Sequence, residues 1–111
     1  MSTMKGGDIW LVALSDAKGH EQQGIHPAIV VGGANGLTVM VPLTSSMGSA
    51  RFSHTYIISP SPHNGFDEDS VALVFQIVAL DRDRFRHRIG SVGEPHRLAI
   101  AALLRDLLGL E

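Results

Sequence analysis

The sequence contains no cysteine, and this absence excludes several kinds of chemistry at once. Disulfide cross-links, thiolate zinc sites and thiol nucleophiles all need that side chain. A chain of 111 residues can bury enough apolar surface to fold without cross-links, but it is too short for two full-sized domains. We therefore interpret residues 1–111 as a single domain.

Long apolar runs are also lacking. No run approaches the roughly 18–20 apolar residues that would span a bilayer. Residues 1–7 contain no apolar core of the kind found in signal peptides. We therefore expect a cytoplasmic protein that makes no use of a membrane.

Aromatic residues and net charge are both low. Aromatics make up 5% of the chain, so a large base-stacking platform is not expected. The formal net charge of −2, taken alone, argues against nucleic acid as a partner. That average conceals local concentrations, because four of the nine Lys and Arg residues lie between positions 82 and 88 and three acids lie at 67–69. The sequence therefore predicts a basic face on a slightly acidic protein.

Apolar stretches bounded by turn residues predict a mainly β fold. The predicted strands are 8–14, 27–31, 37–43, 55–59, 70–78 and 88–92. An Asn35-Gly36 turn joins the second and third strands as a hairpin. After Pro95, apolar residues recur at close to the helical period and predict one C-terminal amphipathic α-helix. Strands of this length and spacing favour a small closed or half-closed barrel over a sandwich.

Histidine is the abundant functional residue type, with six in the chain. His20 and Glu21 open a polar loop that His26 closes six residues later. A carboxylate beside an imidazole suits general acid or base catalysis near neutral pH. The alternative is a hydrated loop whose polar side chains bond their own backbone. A metal site is not expected, because His20 and His26 lack helical spacing and no pattern marks a third ligand.

Motifs for cofactor binding and for a strained serine nucleophile are absent from the sequence. Thr44, Ser45 and Ser46 follow a strand end, where hydroxyls can bond a phosphate or each other, but no nucleophile elbow surrounds them. The glycine-rich segment 32–36 lacks the lysine and the following helix of a P-loop. We expect neither a cofactor nor a metal.

The densest charge feature is the segment 81–88, in which one phenylalanine interrupts a run of arginines. Its cations form the local pattern of a phosphate-binding strip: Arg82, Arg84, Arg86 and Arg88. The structural alternative is ion pairing with Asp81, Asp83 or the acids at 67–69.

Several sequence motifs occur in a fixed order along nearly the whole chain. They are the stretches 7–12, 19–24, 27–31, 41–45, 49–52, 71–76, 80–82 and 88–90. The more specific ones are Gly-His-Glu-Gln at 19–22 and Pro-Leu-Thr at 42–44. In this order they resemble the MazF/PemK (Kid-like) family of toxins from type II toxin–antitoxin systems.

The resemblance implies an SH3-like small barrel, related to that of CcdB, with a C-terminal helix and a homodimeric assembly. It implies a metal-independent, sequence-specific endoribonuclease that cuts single-stranded mRNA. The implied partners are single-stranded RNA and a cognate antitoxin peptide, with operator DNA reached only through the antitoxin complex.

By matching positions, the resemblance implies that His20, Glu21 and Thr44 belong to the catalytic site. To these we add His26, which stands where the family has an arginine. The predicted RNA-binding residues are Gln22, Ser45, Arg51, Gln76, Arg82, Arg84, Arg86 and Arg88.

Two further departures from the family pattern divide the hypotheses. Leu73 and Phe75 stand where the PemK branch has an arginine and an aspartate assigned to catalysis. The first hypothesis is a working ribonuclease in which His20 and His26 act as the acid and base pair, with Glu21 orienting one of them. In it, Thr44 and Arg51 or Arg82 hold the phosphate.

The second hypothesis is a catalytically degenerate member that binds antitoxin, RNA or both without cleavage. A third is a gyrase poison like CcdB, whose function depends on an aromatic residue near the end of its helix. The segment 107–111 offers no such residue.

Overall fold

The computed structural model describes residues 4–14 and 24–110, and it confirms a mainly β fold with a C-terminal helix. The predicted site residues His20, Glu21 and Gln22 lie outside the described residues. The elements are strands β1 (Asp8–Ala13), β2 (Ile25–Ala34), β3 (Leu37–Thr44), β4 (Thr55–Ile58), β5 (Ser70–Leu73), β6 (Val78–Asp81) and β7 (Phe85–Ser91), and helix α1 (Glu94–Leu108). Short 3-10 turns cover Met47–Arg51, Val74–Gln76 and Arg82–Arg84.

The strands form one antiparallel arrangement in the order β4-β5-β3-β2-β1-β7, with β6 also paired to β3. The order ends at β4 and β7, which do not pair with each other within residues 4–14 and 24–110. The sheet is therefore open, and the predicted barrel describes it only loosely.

The β2–β3 hairpin is confirmed, and its turn shows why the sequence identifies it. Asn35 and Gly36 have positive φ angles of 56° and 82°, as both central residues of a type I′ hairpin turn do. Ala34 pairs with Leu37 across the turn.

The predicted strand 70–78 is wrong in one respect, because the chain is interrupted at Val74–Gln76. Both halves lie along β3: Ala72 pairs with Leu43, and Val78 pairs with Met40. Between these two pairings β3 has two residues, whereas the facing segment of the same chain has five. The three extra residues are accommodated in the 3-10 turn. Pro42 lies at the break and has no N–H to donate to a ladder.

Alternate residues of the central strands build the core on both faces of the sheet. One cluster contains Ile9, Ile29 and Val41, and Ile100 of α1 packs into it. The other contains Trp10, Ala28, Val30, Met40 and Phe85. Strands that are buried on both faces read as continuous apolar runs, as they do here.

Helix α1 begins and ends at backbone signals visible in the sequence. Pro95 occupies its first turn, where a missing N–H is tolerated. Gly109 ends it in the left-handed conformation (φ 71°), and its amide donates to the carbonyls of Arg105 and Asp106. Among the described residues, no helix is long and apolar enough to cross a membrane.

Candidate functional site

A groove of about 410 Å³ lies where β2 begins and β3 ends. His26 is the second residue of β2, and Thr44 is the last residue of β3. Ala28 pairs with Pro42, so extending this antiparallel register by two residues sets His26 opposite Thr44. The polar residues that line the groove are His26, Thr44, Ser45, Asp67, Glu68 and Ser70.

The end of β3 fixes the Thr44 hydroxyl. The Ser46 amide donates to Thr44 Oγ1 at 3.1 Å, a local turn that directs the side chain as the strand ends. The hydroxyl hydrogen remains available for donation to a bound anion. Thr44, Ser45 and half-buried His26 therefore offer two hydroxyl donors and one imidazole to the same space.

The opposite wall is a loop held together by the side chain of Asn64, which is 2% exposed. Its Oδ1 accepts from the amides of Ser61 (3.1 Å) and Phe66 (3.0 Å), and its Nδ2 donates to the Ser59 carbonyl (2.9 Å). Gly65 follows with φ 73°, and a Cβ there would lie 2.6 Å from the Ile89 carbonyl oxygen. The loop is therefore pressed against β7 and sets the position of the residues after it.

Asp67 and Glu68 are groove residues that sequence reasoning missed. In the sequence they are predicted only to pair with the arginines, because nothing in their spacing connects them to His26. The connection depends on the Asn64 loop docking on β7, which is a long-range contact. They add two carboxylates to a groove whose hydroxyls and imidazole were predicted.

The four arginines of the segment 81–88 have different partners. Arg84 donates to the carbonyls of Ala13 (3.4 Å) and Leu14 (3.3 Å) at the end of β1. Arg88 Nε lies 3.2 Å from Asp8 Oδ1. Arg82 and Arg86 line a second, more open groove of about 600 Å³. Within the described part of the chain, no residue lines both grooves.

Two carboxylates, Asp81 and Asp83, reduce the net positive charge of this second groove. Hydrogen bonding from the Asp83 backbone and side chain holds the pKa of Asp81 below its usual range. The same side-chain hydrogen bond, together with the charge of Asp81, raises the pKa of Asp83. The two carboxyl groups are therefore inequivalent, and Asp83 is the one that takes up a proton first as the pH falls.

Arg51 and Gln76, also predicted to bind RNA, lie away from the groove that contains Thr44. Arg51 Nη1 donates to the Gly48 carbonyl at 2.8 Å, and its guanidinium carbon lies 4.3 Å from the centre of the Phe52 ring. Gln76 is exposed on the turn that interrupts the predicted strand. Leu73 and Phe75 do not line the groove either.

Two of the histidines hold the helix to the sheet. His96 Nδ1 lies 2.8 Å from the Tyr56 hydroxyl, and His54 Nε2 lies 2.7 Å from Asp106 Oδ2. Both contacts join the β4 region to α1, so these rings have a structural use. Within residues 4–14 and 24–110, no three His, Cys, Asp or Glu side chains converge as metal ligands would.

Proteins of known structure share this fold. It matches the Mycobacterium tuberculosis toxin MazF-mt6 with a TM-score of 0.74 at 13% identity, covering 94% of this chain and 98% of that one. The MazE-MazF crystal structure from Deinococcus radiodurans matches with a TM-score of 0.72 at 25% identity, covering 99% and 100%.

Sequence comparison then identifies the family. The model of the PemK-like, MazF-like toxins of type II toxin–antitoxin systems matches residues 5–108, and the chain belongs to that family. The chain is 30% identical to the Endoribonuclease MazF of Staphylococcus saprophyticus, in an alignment that covers 96% of this chain and 92% of that protein.

Proposed function

We propose that the chain is the toxin of a type II toxin–antitoxin system and that it cuts single-stranded mRNA in the cytoplasm without a metal. The observation that carries this proposal is the groove in which His26, Thr44 and Ser45 converge. Family membership and the relative named Endoribonuclease MazF support it.

Cleavage of RNA without a metal uses the neighbouring 2′-hydroxyl as the nucleophile. The 2′-oxygen bonds to phosphorus as its proton passes to a base, and the bond to the 5′-oxygen breaks as that oxygen gains a proton from an acid. The products are a 2′,3′-cyclic phosphate and a 5′-hydroxyl. Hydrogen-bond donors that face the phosphate stabilise the charge that develops in between.

The groove provides groups for each of these tasks. The His26 imidazole provides the nitrogen that accepts or donates a proton in the reaction. The Thr44 and Ser45 hydroxyls donate to the phosphate oxygens. Asp67 and Glu68 are carboxylates that can orient an imidazole or accept a proton. By the family resemblance, His20, Glu21 and Gln22 are also assigned to this function.

Cleavage of a mixed-sequence RNA pool in EDTA tests the proposal. We expect cyclic phosphate ends from the wild type and a rate at least about 100-fold lower for His26→Ala, because a positioned proton-transfer group contributes about 10²–10⁴-fold. His63→Ala is the matched control, since His63 is exposed and does not line the groove.

Two results would contradict this assignment. If the wild type at large excess leaves every RNA in the pool intact, the ribonuclease proposal is wrong. If His26→Ala cuts as fast as His63→Ala, the enzyme stands but His26 has no part in the chemistry.

We further propose that the toxin is a homodimer and that an antitoxin peptide binds it, with operator DNA reached only through that complex. The similarity to the MazE-MazF structure of Deinococcus radiodurans supports the antitoxin. A solution mass near twice the 11.9 kDa of one chain would confirm the dimer, and a mass near 11.9 kDa would exclude it.

One observation favours a second candidate function, that of a toxin-fold protein that binds RNA or antitoxin without cutting. Leu73 and Phe75 replace a charged pair with apolar side chains, and neither lines the groove. Salt-sensitive RNA binding with intact RNA would identify this function.

A further inference from the structure

The turn Val74–Gln76 brings an aromatic side chain out of the sheet. Val74 is fully buried, whereas Phe75 is 37% exposed, although both belong to a stretch whose composition predicts a continuous buried strand. The Phe75 amide donates to the His54 carbonyl at 3.2 Å and so holds the turn beside the chain that enters β4. Phe75 is therefore presented outward by ordered backbone.

A second aromatic ring and a cation meet Phe75 there. The Phe52 and Phe75 rings, the aromatic pair, have centroids 5.8 Å apart and planes tilted by 58°. Phe52 is 45% exposed, and the Arg51 guanidinium lies over its ring at 4.3 Å. The hydrogen bond from Arg51 to the Gly48 carbonyl fixes this arrangement.

The segment after β3 connects the aromatic pair to the groove. Thr44 lies in the groove, the Met47–Arg51 turn begins three residues later, and Phe52 follows that turn. From the other side, Val71 pairs with Thr44, and Phe75 lies four residues further along, at most about 14 Å from Val71. A flexible strand held in the groove can therefore extend to the aromatic pair.

Exposed rings beside a guanidinium suit a ligand that has flat π faces and regularly spaced anions. A nucleotide of single-stranded RNA has both, because its base stacks on an aromatic face and its phosphate attracts the cation. We propose that the aromatic pair, with Arg51, is a stacking subsite for one unpaired base of the RNA that the groove holds. This inference rests on the proposed function. It adds a place where the substrate is held away from the groups that react.

Binding of a non-cleavable RNA tests the subsite. The probe is a fluorescent 12-nucleotide mixed-sequence RNA with 2′-O-methyl groups, which lacks the attacking hydroxyl. We expect Phe75→Leu to weaken binding by between about fivefold and 150-fold, since stacking one base is worth that range. Phe75→Tyr keeps the ring and should bind within about twofold of the wild type, as should Ile57→Ala, the matched change at an exposed apolar residue outside the pair.

A probe of the same backbone without bases supplies a second measurement that needs no variant. The wild type should bind it more weakly than the base-containing probe, and Phe75→Leu should reduce that difference. Equal binding of both probes by the wild type, or unchanged binding by Phe75→Leu, would overturn the proposal.

The solution mass of each variant, measured by light scattering, separates this subsite from a contact between subunits. If Phe75→Leu halves the mass while Phe75→Tyr does not, the aromatic pair is a protein interface and the proposal is wrong. Ring-dependent binding without any cleavage by the wild type would uphold the subsite and remove the ribonuclease function. Cleavage by the wild type, together with binding that does not depend on the Phe75 ring, would uphold the ribonuclease function and overturn the subsite.

Discussion

Asn64 shows how one buried amide determines the wall of the groove. Its side chain satisfies two backbone amides and one carbonyl inside a loop that has no regular secondary structure. The sequence identifies this region as a turn from its Pro, Asn and Gly content. It does not show that Asn64 points inward, because that depends on the packing of the loop on β7.

Replacement of Asn64 by alanine should destabilise the protein by about 2–3 kcal/mol, because buried backbone groups would lose their partners. His63→Ala, at the exposed neighbouring position, should change the free energy of unfolding by less than about 0.5 kcal/mol. Urea unfolding of both variants measures the difference. Equal midpoints would mean that water replaces the amide without cost.

At the scale of elements, most strands and the start of the helix were predictable, but the interruption of the strand 70–78 was not. Apolar, β-branched residues occupy this stretch without a break, so periodicity has nothing to detect. The interruption lies opposite Pro42 of the partner strand, which cannot donate a ladder hydrogen bond. A rule that used only local composition could not connect Pro42 with Val74 and Phe75.

Gly109, which caps the C-terminal end of α1, contributes to the stability of the helix. Gly109→Ala should lower the free energy of unfolding by about 1 kcal/mol, since alanine is strained at a φ of 71°. Gly109→Asn should cost less, because asparagine tolerates the left-handed region. Thermal unfolding of the two variants checks the order, and a Gly109→Ala protein as stable as Gly109→Asn would contradict it.

Across the whole molecule, residues that the family resemblance assigned to the site line one groove of β2 and β3, whereas the arginines predicted to form one basic face have different partners. The resemblance assigned His26 and Thr44 to the site by their positions in the family's motifs. The partners of the arginines were not predictable, because the bulges in the β1–β7 pairing and the Arg82–Arg84 turn direct them to different partners. Arg84 and Arg88 contact residues of β1, whereas Arg82 and Arg86 are exposed in the second groove.

The salt dependence of RNA binding should reflect this division of charge. Each phosphate contact contributes a slope of about −0.7 in a plot of log K against log salt for a single strand. We expect the double change Arg82→Gln and Arg86→Gln to reduce the magnitude of the slope by about 1.4, measured with the 2′-O-methyl RNA.

Arg97→Gln on α1 is the control and should leave the slope unchanged, because the Arg97 side chain lies against Gly6 and Gly7. If the double variant and Arg97→Gln have the same slope as the wild type, RNA does not contact the second groove.

The turn at Val74–Gln76 has a consequence for how such proteins diverge. Its extra residues lie outside the pairing with β3, so Phe75 and Gln76 can be exchanged during evolution without shifting the strand that ends at Thr44. Val74, which is buried, is the one position of the turn that the core constrains. Substitutions at the exposed residues of the turn therefore leave the strand that reaches the groove in place, so the proposed base-stacking subsite is free to differ between related chains on an unchanged scaffold.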